Sequence, residues 1–197
     1  MEYVSVPEVE DYLLNSCSRD QVIRMLKSRN LEDRMDLCKK IRNLQRKLEE
    51  KVDGKKLLLD RWELDSAIYC GFLYEPYEIK SKRWEKMDIE GEMKNPDLVL
   101  FFEFYKKSGC NDKREELILK RREVYQEINE QLKKVYKQYC EKNKIELIVI
   151  PSSSNIREKY GRIKDIIGKN REKNKIVFTG GSHSGKTTIM RCIKKSL

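Results

Sequence analysis

The chain has 197 residues, with Lys+Arg 43 against Asp+Glu 33 and a net charge of +10, which suits one compact domain (residues 1–197) handling polyanions such as nucleotide phosphates or nucleic acid. Opposite charges are interleaved along helical repeats, so about half of the excess belongs to solvated faces, and with no RNA-binding motif or single basic face a nucleic-acid partner is disfavoured. No apolar run approaches the ~18 residues of a membrane span, the first residues show no signal pattern, and six scattered cysteines with one histidine argue against a zinc site or disulfide framework, so a cytoplasmic protein with buried or half-buried thiols and no membrane partner is expected.

Residues 2–6 are short and β-branched and are closed by Pro7, which predicts a strand. Glu8 then stands at the strand's carboxyl end, where ligands gather in open α/β sheets, although an acid opening a helix is the plainer alternative. Residues 11–51 have helical periodicity, and of the arginines along them (Arg19, Arg24, Arg29, Arg34, Arg42 and Arg46) most are expected to face solvent while one or two could reach a phosphorylated substrate. Asp53-Gly54 ends that helix.

Residues 56–60 carry three consecutive leucines, the pattern of a parallel strand buried on both faces, and Asp60-Arg61 emerges at its carboxyl end. An acid there can hold Mg²⁺ or take a proton from an attacking hydroxyl, and the arginine can grip a phosphate. A simple internal ion pair is the alternative. Residues 65–74 continue as a helix whose aromatic side chains either line a base pocket or fill the core. Residues 74–95 are irregular, 96–103 form another strand, and 112–142 form one long helix or a broken pair. Its basic start (Lys113, Arg114, Lys120, Arg121, Arg122) makes residues 113–142 a candidate lid with the helix that follows. Residues 146–150 predict a strand, residues 152–155 cap a helix over 156–167, and 168–174 is a polar link.

That link enters the most informative stretch. The apolar run Ile176, Val177, Phe178 leads into Gly180, Gly181, Ser182, His183, Ser184, Gly185, Lys186 and Thr187, which is G-x-x-x-x-G-K-[ST] in full, with Thr188 beyond it. The two outer glycines allow backbone conformations closed to other residues, so that successive N–H groups can converge on a phosphate. Lys186 adds a point charge, the Thr187 hydroxyl is the expected Mg²⁺ ligand, and the helix that follows aims its positive end at the same place.

Taken together, the strands resemble the small P-loop kinase group, especially thymidylate kinase, nicotinamide riboside kinase and AAA-like ATP-binding proteins of kinase fold. Asp60-Arg61-Trp62 with the following Ser66-Ala67-Ile68-Tyr69 is similar to the thymidylate kinase pattern D-R-Y/F then S-x-x-A-Y, whereas Val6-Pro7-Glu8 looks more like the riboside kinase group. In those families the phosphate loop comes first; here it comes last, so the chain resembles a circular permutant. The resemblance implies an α/β, three-layer P-loop NTPase fold whose five-stranded parallel sheet holds the phosphate-loop strand centrally, between the strands of Asp60 and Asp97. It also implies transfer of the γ-phosphoryl of Mg·ATP to a nucleoside or nucleoside monophosphate, with Lys186, Asp60, Glu8 and Arg61 in catalysis and Thr187 and Asp60 on Mg²⁺. The rival expectations are a P-loop ATPase or nucleotide-dependent switch, and a basic nucleic-acid-binding module.

Overall fold

A computed structural model describes residues 3–6, 31–52, 54–66, 94–103, 114–152, 155–180 and 185–194. Five strands, β1 (Tyr3–Val6), β2 (Lys56–Asp60), β3 (Leu98–Phe102), β4 (Glu146–Ile150) and β5 (Lys175–Gly180), form one all-parallel sheet in the order β1-β2-β5-β3-β4. The helices are α1 (Leu31–Glu50), α2 (Arg114–Asn143), α3 (Ile156–Lys169) and α4 (Lys186–Lys194), with a further helical stretch at residues 63–66. The chain divides into two compact units, one of Met1–Ser5, Lys55–Asp60 and Asn95–Leu197, the other of Val6–Gly54 and Arg61–Lys94.

In the sheet unit the continuous apolar runs do what their pattern predicts. Every residue of β3 and of β5 is buried, as strands covered on both faces must be. Val177 of β5 lies level with Leu59 on one side and Val99 on the other, so β5 is central, between the strand ending at Asp60 and the strand following Asp97. Alternate side chains then build two layers. Leu100, Phe102, Ile176 and Phe178 form one core with Ile163 and Ile167 of α3 and Ile189 and Ile193 of α4; the Phe102 and Phe178 rings stack with centroids 5.7 Å apart. Phe101, one residue out of phase, packs on Tyr136 of α2 with centroids at 5.9 Å. Helices therefore cover both faces of this sheet.

The polar link before β5 is fixed by its neighbours. Asp97 Oδ2 accepts from the N–H groups of Asn174 (2.7 Å) and Lys175 (2.9 Å), Leu57 N–H donates to Asn174 O (2.6 Å), and the Tyr3 hydroxyl donates to Lys173 O (3.0 Å). The Lys56 ammonium donates to Arg171 O. α3 starts where its cap predicts, with Asn155 Oδ1 accepting from Arg157 N–H (3.0 Å) and Glu158 N–H (3.3 Å), and it runs two residues past the expected end to Lys169.

In the second unit α1 ends at Glu50 and Gly54 takes a left-handed φ of 76°, as its sequence signal requires. Two of the α1 arginines are held on a buried acid rather than left to solvent. Arg42 is buried, its Nε donating to Glu63 Oε2 at 3.2 Å, and Arg46 Nη2 donates to the same oxygen at 3.0 Å. Glu63 is only 1% exposed, and a carboxylate taken out of water needs such partners. Of the described cysteines, Cys38 and Cys140 are buried as expected, but Cys192 is exposed.

A candidate phosphate-binding site at the carboxyl edge of β5

The loop's outer glycines are imposed by local geometry. Gly180 closes β5 at φ 125° with Phe102 level with it on β3, and a β-carbon there would stand 2.2 Å from the Phe102 carbonyl oxygen. Gly185 follows at φ 84° and opens α4, accepting from Ile189 N–H at 3.0 Å. Residues 181–184, with Gly181, Ser182, His183 and Ser184, lie outside the described residues, as does Glu8.

At the start of α4, Lys186 is 6% exposed and Thr188 faces solvent. Between them, the Thr187 hydroxyl donates to Asp60 Oδ2 at 2.6 Å. Asp60 ends β2, the strand beside β5, and is 1% exposed; its Oδ1 is buried with no hydrogen-bond partner among the described residues. The structure thus brings together Asp60, Lys186 and Thr187, 127 residues apart in sequence for the bonded pair. A buried carboxylate with one oxygen unused, bonded to a hydroxyl, is a pair of hard oxygen donors suited to a hydrated Mg²⁺ carrying phosphates, and the buried Lys186 precedes Thr187 in the same turn. No group of three or more His, Cys, Asp or Glu side chains that could hold a metal ion is found among the described residues. No family model, curated protein or solved structure matches this chain.

Arg61 belongs to the second unit, where its Nη1 lies 3.9 Å from Asp65 Oδ1. Its φ is 70°, a conformation uncommon for a long side chain. The turn is held by a reciprocal pair: Trp62 N–H donates to Asp65 Oδ2 (2.9 Å) and Asp65 N–H to Trp62 O (2.9 Å). Asp65 escaped sequence reasoning as a partner for Arg61, although the Trp62-x-x-Asp65 spacing carried that signal. Glu103 escaped it too. It follows Phe102 at the end of β3 and pairs with Lys133 of α2; burial lowers the pKa of Lys159 on α3, and the Glu103 charge partly opposes that shift. Of the candidate lid, residues 113–142, Lys113 lies outside the described residues, and Arg114, Lys120, Arg121 and Arg122 fall within α2.

No helix is long and apolar enough to cross a membrane among the described residues.

Proposed function

We propose that this chain binds Mg·ATP at the β5–α4 turn and transfers the γ-phosphoryl group to a nucleoside or nucleoside monophosphate, as a P-loop kinase whose phosphate-loop strand has moved from first to last. The observation that carries the reading is the Thr187 to Asp60 hydrogen bond at the carboxyl edge of the central strand. Counted from the phosphate loop, β5 becomes strand one and β1 to β4 become two to five. The sheet then reads 2-3-1-4-5, with the Asp60 strand and the Asp97 strand on either side of the first, the placement that the kinase resemblance implies.

In this reading Lys186 and the N–H groups of the loop and of the α4 N-terminus hold the phosphates. Thr187 and Asp60 hold Mg²⁺, which when bound neutralises charge on the transferring group. The short bond between them keeps the hydroxyl oxygen aimed at the metal position, so little reorganisation is needed on binding. The kinase resemblance gives the acceptor's proton to Glu8 and its phosphate to Arg61. Positioning and charge compensation carry the chemistry.

The test is turnover of Mg·ATP across a panel of nucleosides and nucleoside monophosphates, with Lys186→Ala as the control. Phosphorylated acceptor formed by the wild type and lost in the variant supports the reading. Phosphate release indifferent to every acceptor selects the ATPase or switch, and failure to bind ATP overturns nucleotide binding altogether.

A further inference from the structure

We propose that the amino edge of the sheet, opposite the phosphate loop, is a binding surface for the phosphodiester backbone of nucleic acid. In a parallel sheet every strand is entered from the same edge, so the segments leading into β2, β4 and β5 converge there. These segments carry Lys55, Lys144, Lys169 and Arg171, all exposed, and none of the four has a carboxylate partner among the described residues. In sequence they are scattered over more than a hundred positions and look like isolated surface charges. The strand order collects them.

Lys56, Lys142 and Lys173 add charge to the same edge. Acids are fewer among the described residues: Asp97, Glu141, Glu146 and Glu172. Asp97 is turned onto the backbone N–H groups of Asn174 and Lys175, and Glu146 pairs with Lys173 at 3.5 Å. α2 and α3 also end here, each bringing roughly half a negative charge from its dipole. Cations in their last turns, Lys142 and Lys169, answer that need. Lys55, Lys144 and Arg171 exceed it.

Two features mark the excess as more than a solvated rim. Lys144 adopts φ 56° just after α2, a left-handed position that glycine or asparagine fills with less strain. The backbone of the segment bearing Arg171 is also held, through the bonds from Tyr3 and Lys56 to its carbonyls and from the Asn174 N–H to Asp97, so the root of its side chain is anchored at this edge. From β2 to β4 the edge spans three strand spacings, about 14 Å, which matches roughly four nucleotides at the axial rise of a duplex. Lysines dominate, and Tyr3, the aromatic side chain at this edge, is 7% exposed with its hydroxyl bonded to carbonyls. The surface therefore grips phosphates without reading bases.

The experiment is fluorescence anisotropy of the full chain with a labelled single-stranded RNA 20-mer and, separately, a duplex DNA 20-mer, from 50 to 200 mM KCl without nucleotide. Four phosphate contacts predict a slope of about −3 in log K against log salt for the single strand, a loss of about 50-fold over that range. Combining Lys55→Gln, Lys144→Asn, Lys169→Gln and Arg171→Gln should weaken binding at least tenfold and flatten the slope, while the thermal midpoint and ATP affinity stay at wild type; Asn suits the Lys144 backbone, so the fold is spared. A matched set on exposed helix faces, Lys39→Gln, Lys40→Gln, Lys134→Gln and Lys137→Gln, should change affinity less than threefold. Loss with either polymer supports the surface, and the stronger of the two names its source. Equal loss in both variant sets, no binding at 50 mM KCl, or capture by phosphatidylserine vesicles but neither nucleic acid overturns it.

Discussion

Gly180 lies so close to Phe102 that a β-carbon would stand 2.2 Å from the Phe102 carbonyl oxygen, with φ already at 125°. One glycine thus meets two demands, a backbone conformation closed to L side chains and a shared wall with the next strand.

Gly180→Ala should therefore cost about 3 kcal/mol, from left-handed strain and overpacking together. Gly161 gives the internal contrast. It lies within α3, and a β-carbon there would meet nothing within 4 Å, so Gly161→Ala should stabilise by about 0.5–1 kcal/mol through helix propensity. Urea unfolding of both variants measures this, and similar shifts in the two would contradict it.

Asp60→Asn should separate metal from nucleotide. An amide oxygen can still accept from Thr187, so the fold persists, but the negative charge that would face the proposed Mg²⁺ is gone. Calorimetric titration should show Mg·ATP bound at least about tenfold more weakly, with metal-free ATP bound as well as before or better, since a repelling carboxylate has been removed. Unchanged Mg²⁺ dependence would remove Asp60 from the site.

Glu63→Ala should cost about 3–5 kcal/mol, because it removes the buried carboxylate that both Arg42 and Arg46 bond. Glu63→Gln, which keeps one acceptor, should cost less. A thermal melt of the pair reads the difference, and equal midpoints would show the network to be energetically idle.

How much of this was legible in sequence follows from what each feature depends on. The strands were readable because Leu57-Leu58-Leu59 and Ile176-Val177-Phe178 are runs that only burial on both faces explains. The strand-to-helix turn between Gly180 and Gly185 was readable because the G-x-x-x-x-G-K-[ST] pattern fixes residue types at fixed spacing. The place of Arg42 was not readable, because periodicity shows which face of a helix it occupies, whereas its partner Glu63 comes from a helical stretch 21 residues away. Likewise, the contact of Gly180 with the Phe102 carbonyl depends on register between strands distant in sequence, and no local pattern encodes it.

Alkaline pH gives a fourth test. Burial, with a smaller push from Glu141, raises the Cys140 thiol from 9.0 to about 12. The unfolded chain then loses this proton near pH 9 while the folded chain keeps it, so the folded state binds more protons and stability falls as pH rises from about 9 to about 12. Below pH 9 the contribution is complete. Tyr3, raised from 10.0 chiefly by burial, acts in the same direction. Cys140→Ala should be less stable than wild type at pH 7 and should lose less stability than wild type between pH 9 and 11, the Tyr3 share remaining in both. Parallel pH profiles would count against the Cys140 share.

The central position of β5 also sets the order in which the sheet can close. On the ribosome, β2 and β3 are made before the strand that joins them, and each leaves the exit tunnel with one ladder edge unanswered. Two half-sheets must wait, β1 with β2 and β3 with β4, until residues 175–180 arrive to zip them together. A nascent chain stalled short of residue 175 therefore presents two bare inner edges to its neighbours, and this is the stage of its synthesis at which misassociation and chaperone capture are favoured.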